Sequence, residues 1–364
     1  MMETAMLIII VAIALFAHSE IHAQSLSCTT PNSIPGQCIT VHRCRHILNM
    51  FKTQTMIPPA QQSFIRQSAC HLPNVKYAVC CQLDEIERPA PDISLLPTEC
   101  GITTADRVAG GDETGVFEFP WMALLRYRDF EGGIVDGCGG TLINDRYVLT
   151  AAHCLRVHTL TLDHVRLGEH NKKTEIDCEG FDGDCAGPVQ DIKIEKLMIH
   201  PQYNKPKFSN DIGLIRLKSR AHFQDHIKPI CLPVTSESQK MVFPKYILTG
   251  WGKTETNKLS DVLLKATVPR LDNEQCTQIL QQQRLWISLN NKQMCAGGKN
   301  LMDSCRGDSG GPLGMVVKVG RYPRFIQYGI VSIGLDTCGI QNVPSVYTRV
   351  GEYMDWIQEN LQPS

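Results

Sequence analysis

Short runs of β-forming residues separated by turn residues make up most of the chain after residue 108. Three of them, YVLTAAHC, KYILTGWG and FIQYGIVSIG, begin at Tyr147, Lys245 and Phe325 and alternate with Gly, Pro and Asn. Such runs predict antiparallel strands joined by turns. Near the C-terminus the apolar period becomes helical, which predicts one amphipathic helix docked on the β-rich domain. Its apolar positions are Val350, Tyr353, Met354, Ile357 and Leu361.

An apolar run, LIIIVAIALF, occupies residues 7–16. It is too short to span a bilayer and suits the core of a secretory signal peptide, with a cleavage site after Ala23. We therefore expect residues 1–23 to be a signal peptide and the mature protein to be secreted. A membrane anchor is the alternative, because Glu3 precedes the run and no Lys or Arg does. No later segment approaches membrane-spanning length.

Sixteen cysteines behind an export signal predict disulfides. Zinc binding is the alternative, but the chain has no C-x-x-C motif. Residues 28–81 hold six of the cysteines and are too few to bury much core, so covalent bonds are expected there. Spacing does not choose the pairing, except that Cys80 and Cys81 point in different directions in an extended chain and need different partners.

The composition is 43% hydrophobic and 20% charged, as in a soluble globular protein. A net charge of -1 offers no basic surplus for nucleic acid and no acidic tail. Residues 82–99, QLDEIERPAPDISLLPTE, are rich in proline and acidic residues. This predicts an extended polar connector between the cysteine-rich segment and the β-rich domain.

The strongest chemical signal is the motif GDSGG at residues 307–311, preceded by Cys305. A serine hydroxyl is a poor nucleophile until a base lies beside it. Flanking glycines let the backbone approach a substrate carbonyl and point N–H groups at it. The alternative is a plain surface turn, since Ser, Gly and Asp are turn residues.

Two further candidates lie at the ends of apolar runs. His153 follows a predicted strand in TAAHC, and Asp211 enters one in SNDIGL. A histidine at a strand end is usually structural, and Asp211 alone is consistent with a strand-entry turn. A carboxylate buried in an apolar run nevertheless needs a partner.

The order His153, Asp211, Ser309 matches the chymotrypsin-like serine peptidases. TAAHC, DIGLIRL, ILTGWG and DSCRGDSGGPL resemble motifs of that S1 family across residues 108–362. The resemblance implies an all-β fold of two antiparallel six-stranded β-barrels with a C-terminal helix, and an active site between the barrels. It implies a trypsin-like serine endopeptidase that uses no cofactor for catalysis.

The resemblance also implies the roles of single residues. Ser309 attacks the scissile carbonyl, His153 moves its proton, and Asp211 orients the imidazole. Backbone N–H groups of Gly307 and Ser309 form the oxyanion hole.

The primary specificity pocket would have Asp303 at its floor, selecting Arg or Lys because a buried carboxylate requires a cation. Ser304 beside it can accept a hydrogen bond from that cation. Ile333 stands where the family usually has Trp, and Ser345 where trypsin-like members have Gly, so the pocket is expected to be narrower. The implied lining comprises Asp303, Ser304, Ser332, Gly334 and Ser345.

Residues 107–111, RVAGG, resemble the family's activation site. Cleavage after Arg107 would free the amine of Val108, which would pair with Asp308 and order the oxyanion hole. The intact chain is then expected to be nearly inactive, and its activator to be trypsin-like. Residues 82–107 would be the linker and activation segment. An accidental Arg-Val in a loop is the alternative.

The six N-terminal cysteines resemble the clip domain of arthropod proteases, here residues 28–81. That resemblance implies the bonds Cys28–Cys80, Cys38–Cys70 and Cys44–Cys81. In the peptidase domain, the resemblance to the S1 family implies Cys100–Cys231, Cys138–Cys154, Cys276–Cys295 and Cys305–Cys338. This leaves Cys178 and Cys185, which would close a small loop together as Cys178–Cys185.

Residues 169–184 are rich in oxygen ligands, and some family members bind structural Ca²⁺ in this loop. The candidate ligands are the carboxylates of Glu169 and Asp177 and the main-chain oxygens of Asn171 and Thr174. A solvated acidic loop closed by a disulfide is the alternative.

The resemblance implies a precursor protease of an extracellular cascade, in a haemolymph-like fluid and in innate immunity or development. Its expected partners are an upstream trypsin-like activator, a downstream zymogen and a serpin inhibitor, with no nucleic acid or membrane. A non-enzymatic clip protein is one alternative, although such proteins typically lack the serine of GDSGG. A digestive trypsin is another, but it needs no regulatory module.

Overall fold

The structure is a computed structural model. It describes residues 27–52, 57–71, 77–86, 93–102, 112–180, 183–254, 258–298, 304–334 and 342–363. The chain divides into two compact units, Met1–Pro91 and Asp92–Ser364. Among the helices of the described residues, none is both long and apolar enough to cross a membrane.

The described residues of the N-terminal unit form a three-stranded antiparallel sheet with two helices. The strands, in the order β1-β2-β3, are Ser27–Thr29, Pro35–Thr40 and Ala78–Gln82. The helices are α1 (Arg45–Lys52) and α2 (Pro59–Gln67), and short 3-10 turns occupy Val41–Arg43 and Leu83–Glu85.

Three disulfides hold this unit, which has a small core around Ile39, Ile47 and Val79. Cys38 and Cys80 are directly opposite each other where β2 pairs with β3. The adjacent Cys80 and Cys81 bond to different partners. The bonds are Cys28–Cys80, Cys38–Cys70 and Cys44–Cys81.

The first described strand of the C-terminal unit is the short β4 (Asp112–Glu113), and the next six strands form a closed antiparallel barrel. Its strand order is β10-β7-β6-β5-β8-β9. The strands are β5 (Met122–Arg128), β6 (Ile134–Leu142), β7 (Tyr147–Thr150), β8 (Thr161–Leu167), β9 (Gln190–Ile199) and β10 (Gly213–Leu217).

The second barrel has the order β11-β14-β15-β16-β13-β12 and is closed by pairing of β11 with β12, while β4 lies on the outer edge of β12. The predicted fold of two antiparallel six-stranded barrels is therefore confirmed. The strands are β11 (Lys245–Gly250), β12 (Leu264–Leu271), β13 (Gln293–Ala296), β14 (Pro312–Val319), β15 (Tyr322–Ile333) and β16 (Ser345–Arg349).

The helices formed by the described residues of the C-terminal unit are short. They are α3 (Ala152–Leu155), α4 (Ser236–Lys240), α5 (Asn273–Gln282) and α6 (Met354–Asn360), with 3-10 turns at Ile93–Leu95 and Val350–Tyr353. The predicted C-terminal helix is present, with a 3-10 first turn. All five of its predicted apolar positions are buried: Val350, Tyr353, Met354, Ile357 and Leu361.

Four disulfides join described residues of the C-terminal unit. Cys138–Cys154 joins β6 to α3, and Cys100–Cys231 links the segment before the barrels to the barrel domain. The others are Cys178–Cys185 and Cys276–Cys295. The predicted partner of Cys305, Cys338, lies outside the described residues.

Candidate active site

One cavity of about 280 Å³ contains the three side chains that the sequence singled out for catalysis. His153 and Asp211 come from the first barrel, and Ser309 comes from the second. Its lining also includes Ser304, Ser332 and Gly334 from the predicted specificity pocket. The fold thus brings three distant segments of sequence into one cleft.

The pairing of two strands positions His153 against Asp211. Gly213, the first residue of β10, lies opposite Thr150, the last residue of β7. The segment just before β10, which carries Asp211, therefore meets the segment just after β7, which carries His153. His153 Nδ1 lies 2.8 Å from Asp211 Oδ2, and the backbone N–H of His153 donates to Asp211 Oδ1 at 2.9 Å. Both carboxylate oxygens therefore fix the position of the histidine.

Asp211 receives two further hydrogen bonds from the second barrel. The Ser332 hydroxyl donates to Asp211 Oδ2 at 2.5 Å, and the Thr348 hydroxyl donates to the Asp211 carbonyl at 2.7 Å. Only 5% of the Asp211 side chain is exposed, so these donors replace water. The sequence assigned Ser332 to the pocket wall only, and its contact with Asp211 is an addition that no local motif signals.

Two opposing effects act on the pKa of His153. Burial lowers it, because the charged imidazolium loses water, but the negative charge of Asp211 and the hydrogen bond to it raise it. The net pKa lies above the ordinary value of 6.5. The pair therefore makes His153 a better proton acceptor than a free imidazole.

Ser309 is held by its backbone. Its carbonyl accepts from Gly139 N–H at 2.8 Å, and the following Gly310 N–H donates to Val331 at 2.9 Å. Gly310 has φ +79°, and an added Cβ would lie 2.2 Å from Thr150 Oγ1, so only glycine fits. Within the described part of the chain, no hydrogen bond joins Ser309 Oγ to His153 Nε2. Such bonds often tighten only when substrate binds.

Asp308 is the buried neighbour of Ser309. Its carboxylate accepts from Gly252 N–H at 2.8 Å and from Cys305 N–H at 2.9 Å. No described residue forms an ion pair with it. Burial raises the pKa of Asp308 to about 6, which those two backbone donors only partly oppose. The site therefore holds a carboxylate that a cation would stabilise.

Ser345, predicted to line the pocket, is fully buried in β16 and is not among the described residues that line the cavity. Its hydroxyl donates to the Ser304 carbonyl at 3.5 Å, and a Cβ added at Gly334 would lie 3.2 Å from the same hydroxyl. The side chain of Ser345 thus occupies space between two predicted walls. The predicted floor, Asp303, lies outside the described residues, as do Arg107 and Val108.

Comparison with known proteins places this geometry in a family. The family model "Trypsin" matches residues 108–357, and the model "Regulatory CLIP domain of proteinases" matches residues 28–81. The chain is a clip-domain trypsin-like serine protease. It is accordingly a serine endopeptidase, a hydrolase of a family that needs no cofactor for catalysis.

Relatives match this protease over nearly its whole length. It is 40% identical to "Serine protease grass" of Drosophila melanogaster, covering 92% of this chain and 90% of that one. It is 40% identical to "CLIP domain-containing serine protease HP8" of Bombyx mori, covering 90% and 92%. The crystal structure of Drosophila Grass, a clip serine protease of the Toll pathway, superposes with TM-score 0.70 at 40% identity, covering 92% and 96%.

Several oxygens of the candidate calcium ligands already accept hydrogen bonds from other residues of the protease. Glu169 Oε2 accepts from Arg166 at 3.2 Å, while its buried Oε1 has no hydrogen-bond partner among the described residues. Burial raises the pKa of Glu169 despite the contact with Arg166.

The other candidate ligands also have partners within the loop. Asp177 Oδ2 accepts from the N–H groups of His170 and Asn171, each at 3.1 Å, and Oδ1 accepts from the Thr174 hydroxyl. The Asn171 carbonyl accepts from Thr174 at 3.0 Å. Carboxylate and carbonyl oxygens are the ligands that a hard cation such as Ca²⁺ prefers. Glu169 Oε1 and the oxygens of Asp177 and Asn171 are of this chemical type.

Proposed function

We propose that this chain is a secreted precursor that becomes active on cleavage after Arg107 and then cuts protein substrates after Arg or Lys. The observation that carries the proposal is the hydrogen-bonded pair of His153 and Asp211 in one cavity with Ser309. The proposed organisation is a signal peptide (1–23), a clip domain (28–81), a linker and activation segment (82–107) and a peptidase domain (108–362).

The proposed chemistry is acyl transfer. Ser309 Oγ bonds to the scissile carbonyl carbon while its proton passes to His153 Nε2. His153 then gives that proton to the amine nitrogen, the C–N bond breaks, and an acyl-enzyme remains. Water repeats the sequence and releases the acid. Asp211 stabilises the imidazolium in both halves, which the 2.8 Å contact supports.

The negative charge on the carbonyl oxygen is assigned to backbone N–H groups of Gly307 and Ser309. Gly307 has φ +107°, a conformation that a side chain would strain. Removing one such donor typically costs about 3 kcal/mol of transition-state stabilisation.

Specificity for Arg or Lys is assigned to Asp303, with Ser304 as a hydrogen-bond acceptor and with walls at Ser332, Gly334 and Ser345. Ser304 is buried and lines the same cavity as Ser309, in support of this role. The planar guanidinium of Arg meets a carboxylate with two parallel hydrogen bonds, which a lysine cannot do.

Activation is assigned to the new amine of Val108. Asp308 is buried, its pKa is raised to about 6, and no described residue forms an ion pair with it. These features support the pairing of Asp308 with that amine. Because Asp308 adjoins Ser309, the pair would fix the oxyanion hole. Cys100–Cys231 would keep the N-terminal part attached after the cut.

The names of relatives support a role in a proteolytic cascade. They include "Spaetzle-processing enzyme" and "Melanization protease 1" of Drosophila melanogaster, and "Phenoloxidase-activating factor 3" of Holotrichia diomphalia. We assign this protease an upstream trypsin-like activator, a downstream zymogen substrate and a serpin inhibitor in extracellular, haemolymph-like fluid. Innate immunity through Toll or melanisation is the corresponding process.

The test uses the full secreted chain with residues 103–107 replaced by the recognition sequence of a site-specific protease that leaves Val108 as the new N-terminus. After cleavage, a chromogenic Arg peptide should be hydrolysed, and Ser309→Ala should abolish the signal. A cleaved chain that leaves the peptide intact would instead support the non-enzymatic alternative.

We also assign structural Ca²⁺ to Glu169 and Asp177 with the carbonyl oxygens of Asn171 and Thr174. Added Ca²⁺ should raise the melting temperature by about 3 °C, because it binds only the folded loop. Glu169→Gln should remove that shift, while the exposed Glu175→Gln should keep it. If added Ca²⁺ raised the melting temperatures of Glu169→Gln and Glu175→Gln by the same amount, the proposed calcium site would be refuted.

A further inference from the structure

Cations without carboxylate partners gather at the cleft. Arg306 lines the cavity beside Ser309 and is exposed. Lys207 is exposed, and its ammonium lies 4.8 Å from the ring centre of Phe208, which lines the same cavity. Within the described residues neither side chain forms an ion pair or a hydrogen bond. Two different segments therefore bring free positive charge to the rim.

Ion pairs are common on the surface of the first barrel. Four cations on its strands lie 2.5 to 2.9 Å from carboxylates. The matched pairs are Arg126–Asp136, Arg128–Asp163, Arg166–Asp191 and Lys193–Asp163. Exposed cations without a carboxylate partner among the described residues also occur away from the cleft, at Lys196 of β9 and Lys318 of β14. What distinguishes Arg306 and Lys207 is their position at the cavity that holds Ser309.

The segment that carries Lys207 is held in a fixed shape. The Asn204 side chain accepts from Phe208 N–H at 2.7 Å. The amide of Asn210, a buried residue with φ +56°, donates to the carbonyls of Gln202 at 2.9 Å and Lys205 at 3.2 Å. A cation on a preorganised segment loses less entropy when it binds an anion.

The negative charges inside the cleft do not neutralise this rim. Asp211 is the one carboxylate among the described lining residues, and it is already committed to His153 and Ser332. At the rim, a substrate carboxylate therefore meets positive charge, and no described lining residue other than Asp211 offers a competing anion. Since the rim flanks Ser309, that carboxylate would belong to residues close to the scissile bond.

We propose that the cleft selects protein segments with acidic side chains beside the scissile Arg or Lys, through Arg306 and Lys207. This inference rests on the proposed peptidase activity and names the class of its substrates. The pocket recognises one cation of the substrate, and the rim recognises its acidic flanks. Segments with basic flanks would be repelled, which narrows the range of proteins that the enzyme cuts.

The test compares quenched fluorescent peptides that contain one Arg and are flanked on both sides by Asp or, in the matched peptide, by Asn. The cleaved full chain should show a kcat/KM about fivefold higher for the Asp peptide at low salt, as expected for exposed ion pairs. The preference should shrink at about 0.5 M NaCl, because salt screens exposed charges.

Variants separate the two cations from general electrostatics. Arg306→Gln and Lys207→Gln should each reduce the Asp-to-Asn ratio, and the double variant should bring it close to one. Lys318→Gln, at an exposed lysine of β14 outside the cavity lining, should keep the wild-type ratio. A preference that survives in the double variant would overturn the proposal.

The outcomes also distinguish this inference from the function on which it rests. If both peptides are cut at equal rates, the peptidase assignment stands and the acidic preference is wrong. If neither peptide is cut, the peptidase assignment and the acidic preference are both wrong. If the double variant loses affinity for a heparin column but keeps the peptide ratio, the rim binds polyanionic carbohydrate and the substrate proposal is wrong.

Discussion

At the scale of single residues, the chemistry depends on how the protein surrounds His153. Asp211 contacts both the ring and the backbone N–H of this residue. Ser332 and Thr348 in turn hold Asp211 from the second barrel. Asp211 therefore orients the imidazole through Nδ1. We assign Nε2, the other ring nitrogen, to the proton of Ser309.

The raised pKa of His153 predicts the pH dependence of the cleaved enzyme. His153 accepts a proton only when it is neutral, so kcat/KM should rise with pH through a midpoint above 6.5. Asp211→Asn removes the charge that raises this pKa and leaves burial, which lowers it. The midpoint should then move down and kcat should fall by about 10⁴-fold. An unchanged midpoint would contradict the assigned pair.

Ser345 gives a prediction about the width of the pocket. Its buried hydroxymethyl group lies between Ser304 and Gly334, so Ser345→Gly should admit the substrate cation more easily. We expect kcat/KM for Arg and Lys peptides to rise about fivefold, which corresponds to about 1 kcal/mol, the lower end of the usual cost of overpacking. Ser345→Thr should lower both values. Equal kinetics in all three enzymes would mean that this position does not limit the pocket.

At the scale of elements, the segment between β9 and β10 is joined to the C-terminal 3-10 turn. The Tyr353 hydroxyl donates to Asn210 Oδ1 at 3.0 Å, and the amide of Asn210 holds Gln202 and Lys205. Asn210 directly precedes Asp211. Its hydrogen bonds therefore hold the segment of Gln202 and Lys205 and also the stretch of chain that leads into β10.

Thermal unfolding tests this connection. Tyr353→Phe loses one buried hydrogen bond, worth about 1 kcal/mol, whereas Asn210→Ala loses three and places alanine at positive φ. Asn210→Ala should therefore lower the melting temperature by more than twice as much. Tyr328→Phe, which loses only a 3.6 Å contact to Met241 sulfur, is the control and should have little effect. Equal shifts for Asn210→Ala and Tyr328→Phe would contradict the connection.

The sequence predicted the elements that have strong local signatures. Runs of β-forming residues predicted antiparallel strands, and the TAAHC and GDSGG motifs supplied the candidates His153 and Ser309. The two barrels were implied by the resemblance of several motifs to the S1 family. The roles of Asn210 and of Ser332 toward Asp211 could not be predicted, because they depend on contacts between segments about 120 residues or more apart. The sequence around a serine or asparagine in a strand or turn does not predict which distant residue it contacts.

At the scale of the whole molecule, Cys100–Cys231 determines what happens to the chain after cleavage. This bond joins the segment before Arg107 to the barrel domain. The cut protein should therefore run as one species on a non-reducing gel and as two on a reducing gel. A Cys100→Ser, Cys231→Ser double variant should release the N-terminal part without reduction. Two species from the wild type without reductant would exclude the tether.

The central claim is that a new amine at Val108 pairs with buried Asp308 and completes the site at Ser309. The most direct measurement is kcat/KM for one Arg peptide before and after cleavage at residue 107, in the wild type and in Asp308→Asn. The account predicts a rise of at least about 100-fold in the wild type, the scale of an oxyanion-hole donor, and little rise in Asp308→Asn. Equal rates for intact and cleaved wild-type chains would contradict it.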